Sequence, residues 1–444
     1  MNSDTIFAPS SGGVPAGIAI IRISGERAGE ILKLLAGGDL PNPRYAKRVT
    51  LCRPGDKVFL DEGLVIWFPG PDSFTGENVA ELHVHGGRAT VEAICSVLSD
   101  CEGCRLAEPG EFSRRAFENE KLDLAEIEGL ADLIAAETEA QRIQALGQLA
   151  GGLSEIYEGW RESLLHLLAQ TEAAIDFPEE DLPENLIEQS KHQMLGISDS
   201  ITHYMLDNRR GERTRAGFQI AIIGPPNVGK SSVLNCLAER DVAIVSEEEG
   251  TTRDIVEVRL DLGGYPVTIA DTAGVRSTKD EIEAEGVRRA KNRAEQADLR
   301  VLILDAQDPE ADKDVIGIVG PEDIVLLNKI DLVEEIDLTT PIAGRSPLGI
   351  SAKTGAEFDV FVKVLAERAG QFLDHSGPPP LTRLRHREAL QECCDTLRRG
   401  LSADAAELMA EDLRLATRAL GRITGRVDVE EVLGVIFDEF CIGK

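Results

Sequence analysis

Apolar and polar positions alternate over short runs at the start of the chain. Gly17 to Ser24, Val58 to Leu60, Gly63 to Phe68 and Val79 to His85 predict strands, and Ala89 to Ser99 repeats at helical spacing. This is the pattern of a small α/β domain over residues 1–118. Three Gly- and Pro-rich loops, Pro9 to Gly13, Phe68 to Gly76 and Glu108 to Phe112, punctuate it as candidate ligand loops, although turn-making alone also accounts for such clusters. From Leu122 the repeat lengthens. Leu122, Ile127, Leu130, Leu133 and Ile134, then Leu146, Leu149, Leu153, Ile156, Leu164, Leu167 and Leu168, predict helices up to a break at Asp176 to Pro183, and Leu186 to about Asp207 predicts another. After a basic joint, Arg209 to Gly217, short apolar strands alternate with loops and helices as far as Ser376-Gly377-Pro378-Pro379-Pro380. Leu381 to Arg399, Ala403 to Arg422 and Val429 to Phe440 then return to helical spacing. Neither helical flank makes a complete bundle. We therefore expect residues 119–216 and 376–444 to pack as one helical domain, with an α/β domain of residues 217–375 inserted between them.

Composition narrows the class. With 444 residues, 42% of them hydrophobic, the chain can bury several cores, and its apolar runs, such as Gly17 to Ile21, stop far short of a bilayer span. No basic-then-apolar leader opens the sequence, so a cytoplasmic protein without a membrane segment is expected. A formal charge of −31 repels phosphates, so any RNA contact has to be local or supplied by a partner. The 8 cysteines are expected to be reduced thiols. Cys101-x-x-Cys104 has a redox or metal spacing but no second pair, Cys393-Cys394 falls in a helical pattern that reads as packing, and His83-x-His85 places two imidazoles on one strand face with no third ligand evident. Arg414, Arg418, Arg422 and Arg426 form one basic helical stripe, either an ion-paired solvated face or a surface for RNA or a partner.

The chemistry concentrates in the inserted region. Gly224-Pro225-Pro226-Asn227-Val228-Gly229-Lys230-Ser231 fits G-x-x-x-x-G-K-S/T, directly after the apolar run Gln219 to Ile223 and before a helical run, Ser232 to Glu239. Gly229 lets backbone N–H groups close on an anion, Lys230 brings a point charge to the β- and γ-phosphates, and Ser231 offers an oxygen to Mg²⁺. Gly250-Thr251-Thr252-Arg253-Asp254, before a strand at Ile255 to Leu260, would be a first switch with a Thr hydroxyl on Mg²⁺. Asp271-Thr272-Ala273-Gly274, after Val267 to Ala270, would be a second. Asn328-Lys329-Ile330-Asp331 follows Ile324 to Leu327 and selects guanine: the Asp331 carboxylate can accept from N1–H and the exocyclic amine, whereas adenine would leave it unpaired. Ser351-Ala352-Lys353, after Leu348 to Ile350, would supply a backbone N–H to the guanine carbonyl. In this order the motifs spell a GTP-binding domain. The residue after Gly274 is Val275, not the glutamine that orients water in many such enzymes, which leaves Asp280, Glu281 and Glu283 as acidic candidates. Arg253, Arg276 or a bound cation could meet the transition-state charge.

Further segments agree with one family: Asp4-Thr5-Ile6, Gly12-Gly13, Arg22-Ile23-Ser24-Gly25, Phe68-Pro69-Gly70-Pro71 with Ser73-Phe74-Thr75-Gly76-Glu77, His85-Gly86-Gly87, Pro109-Gly110-Glu111-Phe112, Lys121-Leu122-Asp123-Leu124 and the terminal Phe440-Cys441-Ile442-Gly443-Lys444. Over essentially its whole length the chain resembles the tRNA modification GTPase MnmE (TrmE) family. The resemblance implies an N-terminal folate-binding domain that forms a homodimer, a helical domain from both flanks, and an inserted Ras-like P-loop G domain. It implies work with MnmG, a flavin protein, in an expected heterotetramer that adds an aminomethyl or carboxymethylaminomethyl group to the wobble uridine of certain tRNAs. A 5-formyl- or methylene-tetrahydrofolate would supply the carbon, bound by Arg22, Glu81, Lys121 and Lys444. GTP would be contacted by Asn227, Val228, Gly229, Lys230, Ser231, Ser232, Ser246, Glu247, Glu248, Glu249, Gly250, Thr251, Thr252, Asp271, Thr272, Ala273, Gly274, Asn328, Lys329, Ile330, Asp331, Ser351, Ala352 and Lys353. Mg²⁺ would fall to Ser231 and Thr252. K⁺ would fall to Asn227, Ser246, the Glu248 carbonyl and Thr251, in place of an arginine finger and completed by G-domain dimerisation. Glu283 would orient the attacking water. The chain departs from the family's pattern at Ser246, often Thr, at Glu248, often apolar, and at Phe7-Ala8-Pro9-Ser10-Ser11, usually Ala-Thr-Pro-x-Gly. Cys441 stays open between covalent chemistry and tail packing. A GTP-dependent assembly switch without one-carbon chemistry is the alternative class.

Overall fold

The computed structural model describes residues 4–176, 186–206, 209–240, 242–244, 257–271 (Asp271 by its backbone), 294–310, 316–374, 377–427, 433, 436 and 443. The chain divides into two compact units, Met1–Ala131 with Leu149–Lys191 and Arg399–Lys444, and Asp132–Gln148 with His192–Arg398.

The first unit is built on a six-stranded sheet of β1 (Thr5–Pro9), β2 (Ala16–Ser24), β3 (Lys47–Cys52), β4 (Phe59–Phe68), β5 (Val79–Gly86) and β6 (Cys104–Leu106), in spatial order β3-β4-β5-β2-β1-β6. Only the β1–β6 pair is parallel. Alternation turns Ile21, Ile23, Val65, Leu82 and Val84 inward, against Ile31, Leu32 and Leu35 of helix Ala28–Ala36 and Ile94 and Leu98 of helix Arg88–Ser99. β4 runs unbroken through Asp61-Glu62-Gly63, where apolar spacing predicts two separate strands. Asp61, 8% exposed, can face the interior because the His85 backbone N–H donates to it at 2.8 Å and the His85 ring nitrogen lies 2.8 Å away. Burial alone would raise the Asp61 carboxyl, but these bonds hold it below the ordinary value. Gly63 is required there, since a Cβ would run into the His83 carbonyl.

A buried ionic network fixes the loops of this unit. Arg115, 3% exposed, donates to Glu77 at 3.0 Å, to Glu111 at 3.0 Å and to the Asp4 carbonyl at 2.9 Å. Ser24 bonds both Thr75 and Glu77 at 2.7 Å, and Arg105 donates to Glu111 at 2.6 Å. Burial pushes the Glu111 carboxyl up, and the donors around it, Arg105 first, bring it below its ordinary value. Elsewhere in the unit, helix Gly152–Asp176 packs along helix Ala406–Thr424. The arginine stripe is ion-paired here: Arg414 reaches Glu172 at 2.7 Å and Glu411 at 3.0 Å, and Arg426 reaches Glu158 at 3.5 Å.

The second unit holds β7 (Phe218–Ile223), β8 (Glu257–Leu262), β9 (Tyr265–Asp271), β10 (Leu299–Asp305), β11 (Ile324–Asn328) and β12 (Leu348–Gly349), in order β12-β11-β10-β7-β9-β8. Every neighbouring pair is parallel except β8 with β9. Its central strands are apolar on both faces. Ile220, Ile222, Val301 and Ile303 meet Val233 and Leu237 of helix Lys230–Ala238 and Phe361 and Leu365 of helix Phe358–Leu373, while Ala221, Ile223, Leu302 and Leu304 form a second core with Ala294. This is the Ras-like P-loop G-domain fold, in a multidomain chain that joins α/β and all-α parts. The basic joint before β7 is itself a helix, Arg210–Ala216, because its charges find partners: Glu212 with Arg387 at 2.8 Å, Arg213 with Asp298 at 2.9 Å and Arg215 with Asp132 at 2.9 Å. Cys393 and Cys394 are buried; Cys394 contacts the Ser198 carbonyl at 3.7 Å, and burial pushes both thiols up.

Arg115→Ala should destabilise the chain by about 3–5 kcal/mol, because it strands Glu77 and Glu111 without their buried partner. Arg48→Ala, at the exposed pair with Glu62, should leave the urea midpoint unchanged. Urea unfolding followed by circular dichroism checks both.

Candidate functional site

The described motifs of the second unit fall at the carboxyl ends of β7, β11 and β12, the edge where open α/β sheets bind ligands. β7 runs into the loop 224–229, and helix Lys230–Ala238 starts two positions before the predicted Ser232 because Gly229, at φ 95°, turns the chain in the left-handed region. Gly224, at φ 145°, leaves no room for a Cβ beside the Ile303 carbonyl, and Gly229 leaves none beside the Asn328 amide nitrogen. Lys230, 8% exposed, folds its ammonium back onto the Gly224 carbonyl at 2.9 Å and the Pro225 carbonyl at 2.7 Å. A fixed positive charge inside a loop that heads a helix is an anion cradle.

Asn328 joins the pieces. Its Nδ2 donates to the Val228 carbonyl at 2.8 Å, and its Oδ1 accepts from the Ala352 N–H at 3.0 Å. The side chain is 2% exposed, so both bonds are made away from water. Lys329, held at φ 68°, donates to the Asn227 carbonyl at 2.8 Å and to Asp305 Oδ2 at 2.7 Å. Ser351 Oγ donates to Asp331 Oδ1 at 2.6 Å and accepts from the Thr354 N–H at 3.1 Å. The Cys236 thiol, on the phosphate-loop helix, donates to the Ala352 carbonyl at 2.9 Å. Phosphate loop, base motif and the Ser351–Lys353 loop are thus one hydrogen-bonded block. Asp331 is exposed, so its penalty against adenine arises only once a base covers it.

Asn227 to Ser232, Asn328 to Asp331 and Ser351 to Lys353 therefore lie in three loops that the fold brings together. Ser246 to Thr252, Thr272 to Gly274 and Glu283 lie outside the described residues, and Asp271 is described by its backbone, in register with Ile222. Asp305 escaped the sequence reading. Its one signal was position, since it stands opposite Asn328 at the ends of two parallel strands. Burial raises its carboxyl, and the bonds from Lys329 and the Gln307 N–H outweigh that and hold it below the ordinary value.

In the first unit, Arg22 and Glu81 are register partners across β2 and β5, with Arg22 Nε 3.1 Å and Nη2 3.0 Å from Glu81 Oε1. The Arg22 guanidinium lies 5.3 Å from the Phe74 ring centre and 5.7 Å from that of Phe112. A Cβ on Gly76 would stand 3.3 Å from Lys121 Cε, so Lys121 lies against the Phe68–Gly76 loop. Gly443 packs on the Pro9 carbonyl so closely that no side chain fits, which brings the chain's tail to the strand pair that carries Arg22; Lys444 lies outside the described residues. His83 is 3.3 Å from Glu81 and His85 is 2.8 Å from Asp61, and among the described residues no cluster of His, Cys, Asp and Glu could hold a metal. Cys101 and Cys104 are unbridged, with burial pushing Cys104 up to about 12.

Two family models match: the GTP-binding protein TrmE N-terminus over residues 5–121 and the MnmE helical domain over residues 124–441. The tRNA modification GTPase MnmE of Parvibaculum lavamentivorans is 51% identical, covering 99% of this chain and 100% of that protein. Those of Rhodospirillum rubrum, 51% identical, and Paramagnetospirillum magneticum, 52% identical, cover 100% of both chains. The chain belongs to the tRNA modification GTPase MnmE family. Among solved structures, the FeoB G domain of Methanococcus jannaschii is 29% identical, with 34% of this chain and 97% of that one covered and a TM-score of 0.26.

The base site in this MnmE-family chain makes a specific demand. Asp331→Asn replaces two acceptors by an acceptor and a donor, which suits the C2 carbonyl of xanthine and not the amine of guanine. GTP affinity should fall by about 100-fold or more while XTP binding appears, in equilibrium titrations with fluorescent nucleotides.

Proposed function

We propose that this chain hydrolyses GTP in tRNA modification, acting with MnmG to install the aminomethyl or carboxymethylaminomethyl group on the wobble uridine of certain tRNAs. The observation that carries this reading is the block around Asn328, where a carboxylate suited to guanine is tied to a phosphate loop, in a chain that aligns end to end with MnmE relatives. Lys230 and the N–H groups of the loop would hold the phosphates, and Asp331 with a main-chain N–H of the Ser351–Lys353 loop would orient the base.

Ser231 and Thr252 would hold Mg²⁺, which would neutralise charge on the phosphates. Asn227, Ser246, the Glu248 carbonyl and Thr251 would hold K⁺, a positive charge in the place of an arginine finger. Asn227 fits that role: it is exposed, Lys329 engages its main-chain oxygen, and its amide oxygen is a neutral hard donor. Glu283 would orient the water for in-line attack, in a site completed when two G domains meet. In the first unit, Arg22, Glu81, Lys121 and Lys444 would bind a 5-formyl- or methylene-tetrahydrofolate. The fit is supported by the guanidinium close to both Phe74 and Phe112 and by the tail at Pro9. The N-terminal domain (1–118) would dimerise, and 119–216 with 376–444 would form the helical domain around 217–375, in a cytoplasmic complex with MnmG and tRNA.

Nucleoside analysis of tRNA from a deletion strain tests the function: this gene should restore the modified wobble uridine, and an unmodified profile with full GTPase activity would favour an assembly switch instead. In vitro, GTP turnover should be at least about tenfold faster in K⁺ than in Na⁺. Glu283→Ala should cut kcat by about 100-fold or more with GTP affinity changed little, since it touches water and not nucleotide.

A further inference from the structure

We propose that Asp305 is a positioning residue of the nucleotide site, aiming Lys329 at the Asn227 carbonyl and so setting the shape of the phosphate loop. The inference deepens the GTPase reading and rests on it. Asp305 belongs to none of the nucleotide motifs. It ends β10 and stands in parallel register with Asn328, the last residue of β11, so that the residue following Asn328 passes directly by its carboxylate.

The geometry is that of a guide. Lys329 Nζ makes two bonds, 2.7 Å to Asp305 Oδ2 and 2.8 Å to the Asn227 carbonyl, and so spans from the sheet to the phosphate loop. Asp305 is itself anchored, since its Oδ1 accepts from the Gln307 N–H at 3.0 Å and its main-chain carbonyl from the Asp308 N–H at 3.1 Å. Both residues joined through the ammonium have left-handed backbones, Asn227 at φ 62°, which asparagine tolerates, and Lys329 at φ 68°, which is uncommon for a long side chain. A lysine has three donors on a flexible stem and no preferred direction of its own. A carboxylate 2.7 Å away supplies the direction. Asn328 fixes the loop at Val228 and Lys329 fixes it at Asn227, so adjacent carbonyls of the loop are held by adjacent residues of the base motif. Asp305 acts on the second of these ties alone.

Acting through Lys329 on the loop, Asp305 should influence every nucleotide alike, whereas Asp331 distinguishes bases. Equilibrium titration of the full chain with fluorescent GDP and IDP separates the two, because inosine lacks the exocyclic amine that Asp331 reads. Asp305→Asn is expected to weaken GDP and IDP equally, by about tenfold, with their ratio unchanged. Lys329→Met should cause a loss of similar size, and the double variant should lose no more than Lys329→Met alone. Asp305→Glu, which keeps the charge, should recover most of the affinity and serves also if Asp305→Asn fails to fold. Unchanged affinity in Asp305→Asn, a changed GDP-to-IDP ratio, additive losses in the double variant, or a Glu variant no better than Asn would each overturn the proposal. If the unaltered chain binds no guanine nucleotide, the GTPase reading falls and takes this inference with it; normal binding with an unaffected Asp305→Asn overturns the inference alone.

Discussion

One buried amide, that of Asn328, holds together three loops that the backbone leaves separate. A parallel sheet fixes where its strands end but not where the loops beyond them go. Asn328 stands at the end of β11 and grips the Val228 carbonyl on one side and the Ala352 N–H on the other, at 2.8 Å and 3.0 Å. Its nitrogen occupies the space that a Cβ on residue 229 would need, so the same contact that joins the loops also demands the glycine. Aspartate there would lose the donor to Val228, and an apolar residue would leave both main-chain groups without their partner, at a cost of about 1–3 kcal/mol each. The loops that carry the two motifs are therefore one mechanical unit.

The same economy appears where the G domain joins its flanks. Arg215, from the helix that enters the domain, and Arg383, from the segment that leaves it, converge on the Asp132 Oδ1 at 2.9 Å and 2.8 Å. Gly211 packs on Pro380 and the Leu381 carbonyl, so entry and exit lie side by side, as an insertion requires. Gln141 and Gln144 of helix Glu139–Leu149 donate to the carbonyls of Arg215 and Gly211, at 3.1 Å and 3.0 Å. The Ala140 N–H of that helix donates to the Gly264 carbonyl at 2.9 Å, in the turn of the β8–β9 hairpin. One main-chain bond therefore ties the hairpin to the helix whose two glutamines hold the joint.

The arginines explain how a chain of charge −31 orders itself. Arg22, Arg105, Arg115, Arg213, Arg215 and Arg387 each meet a carboxylate within 3.3 Å, in pairs that are partly or wholly buried. Such pairs add little net stability over an apolar equivalent, because desolvation offsets their attraction, but breaking one partner is costly. They define which loop meets which strand. The stripe at Arg414 and Arg426 is paired too, with Glu172, Glu411 and Glu158, but those pairs stand in solvent and contribute little.

What could be read from the residues follows from the range of the forces involved. The phosphate loop, the base motif and the apolar strands of the G domain were legible because their signals are local: glycine at a forced turn, a charge beside it, and an unbroken apolar run. Strands β1, β3 and β6, and the helix Ala28–Ala36, were not, because β3 is a charged edge, β6 is short, and the helix opens among Gly and Glu. Asp61 broke the apolar pattern of β4 because the histidine that satisfies it stands 24 residues away. Asp305 stayed hidden for the same reason: Lys329 is 24 positions distant, and only the register of two parallel strands puts them together. A polar residue at the end of a strand is a weak signal by itself. Placed opposite a recognised motif residue in a parallel pair, it becomes a strong one, because the register then fixes what its side chain can reach.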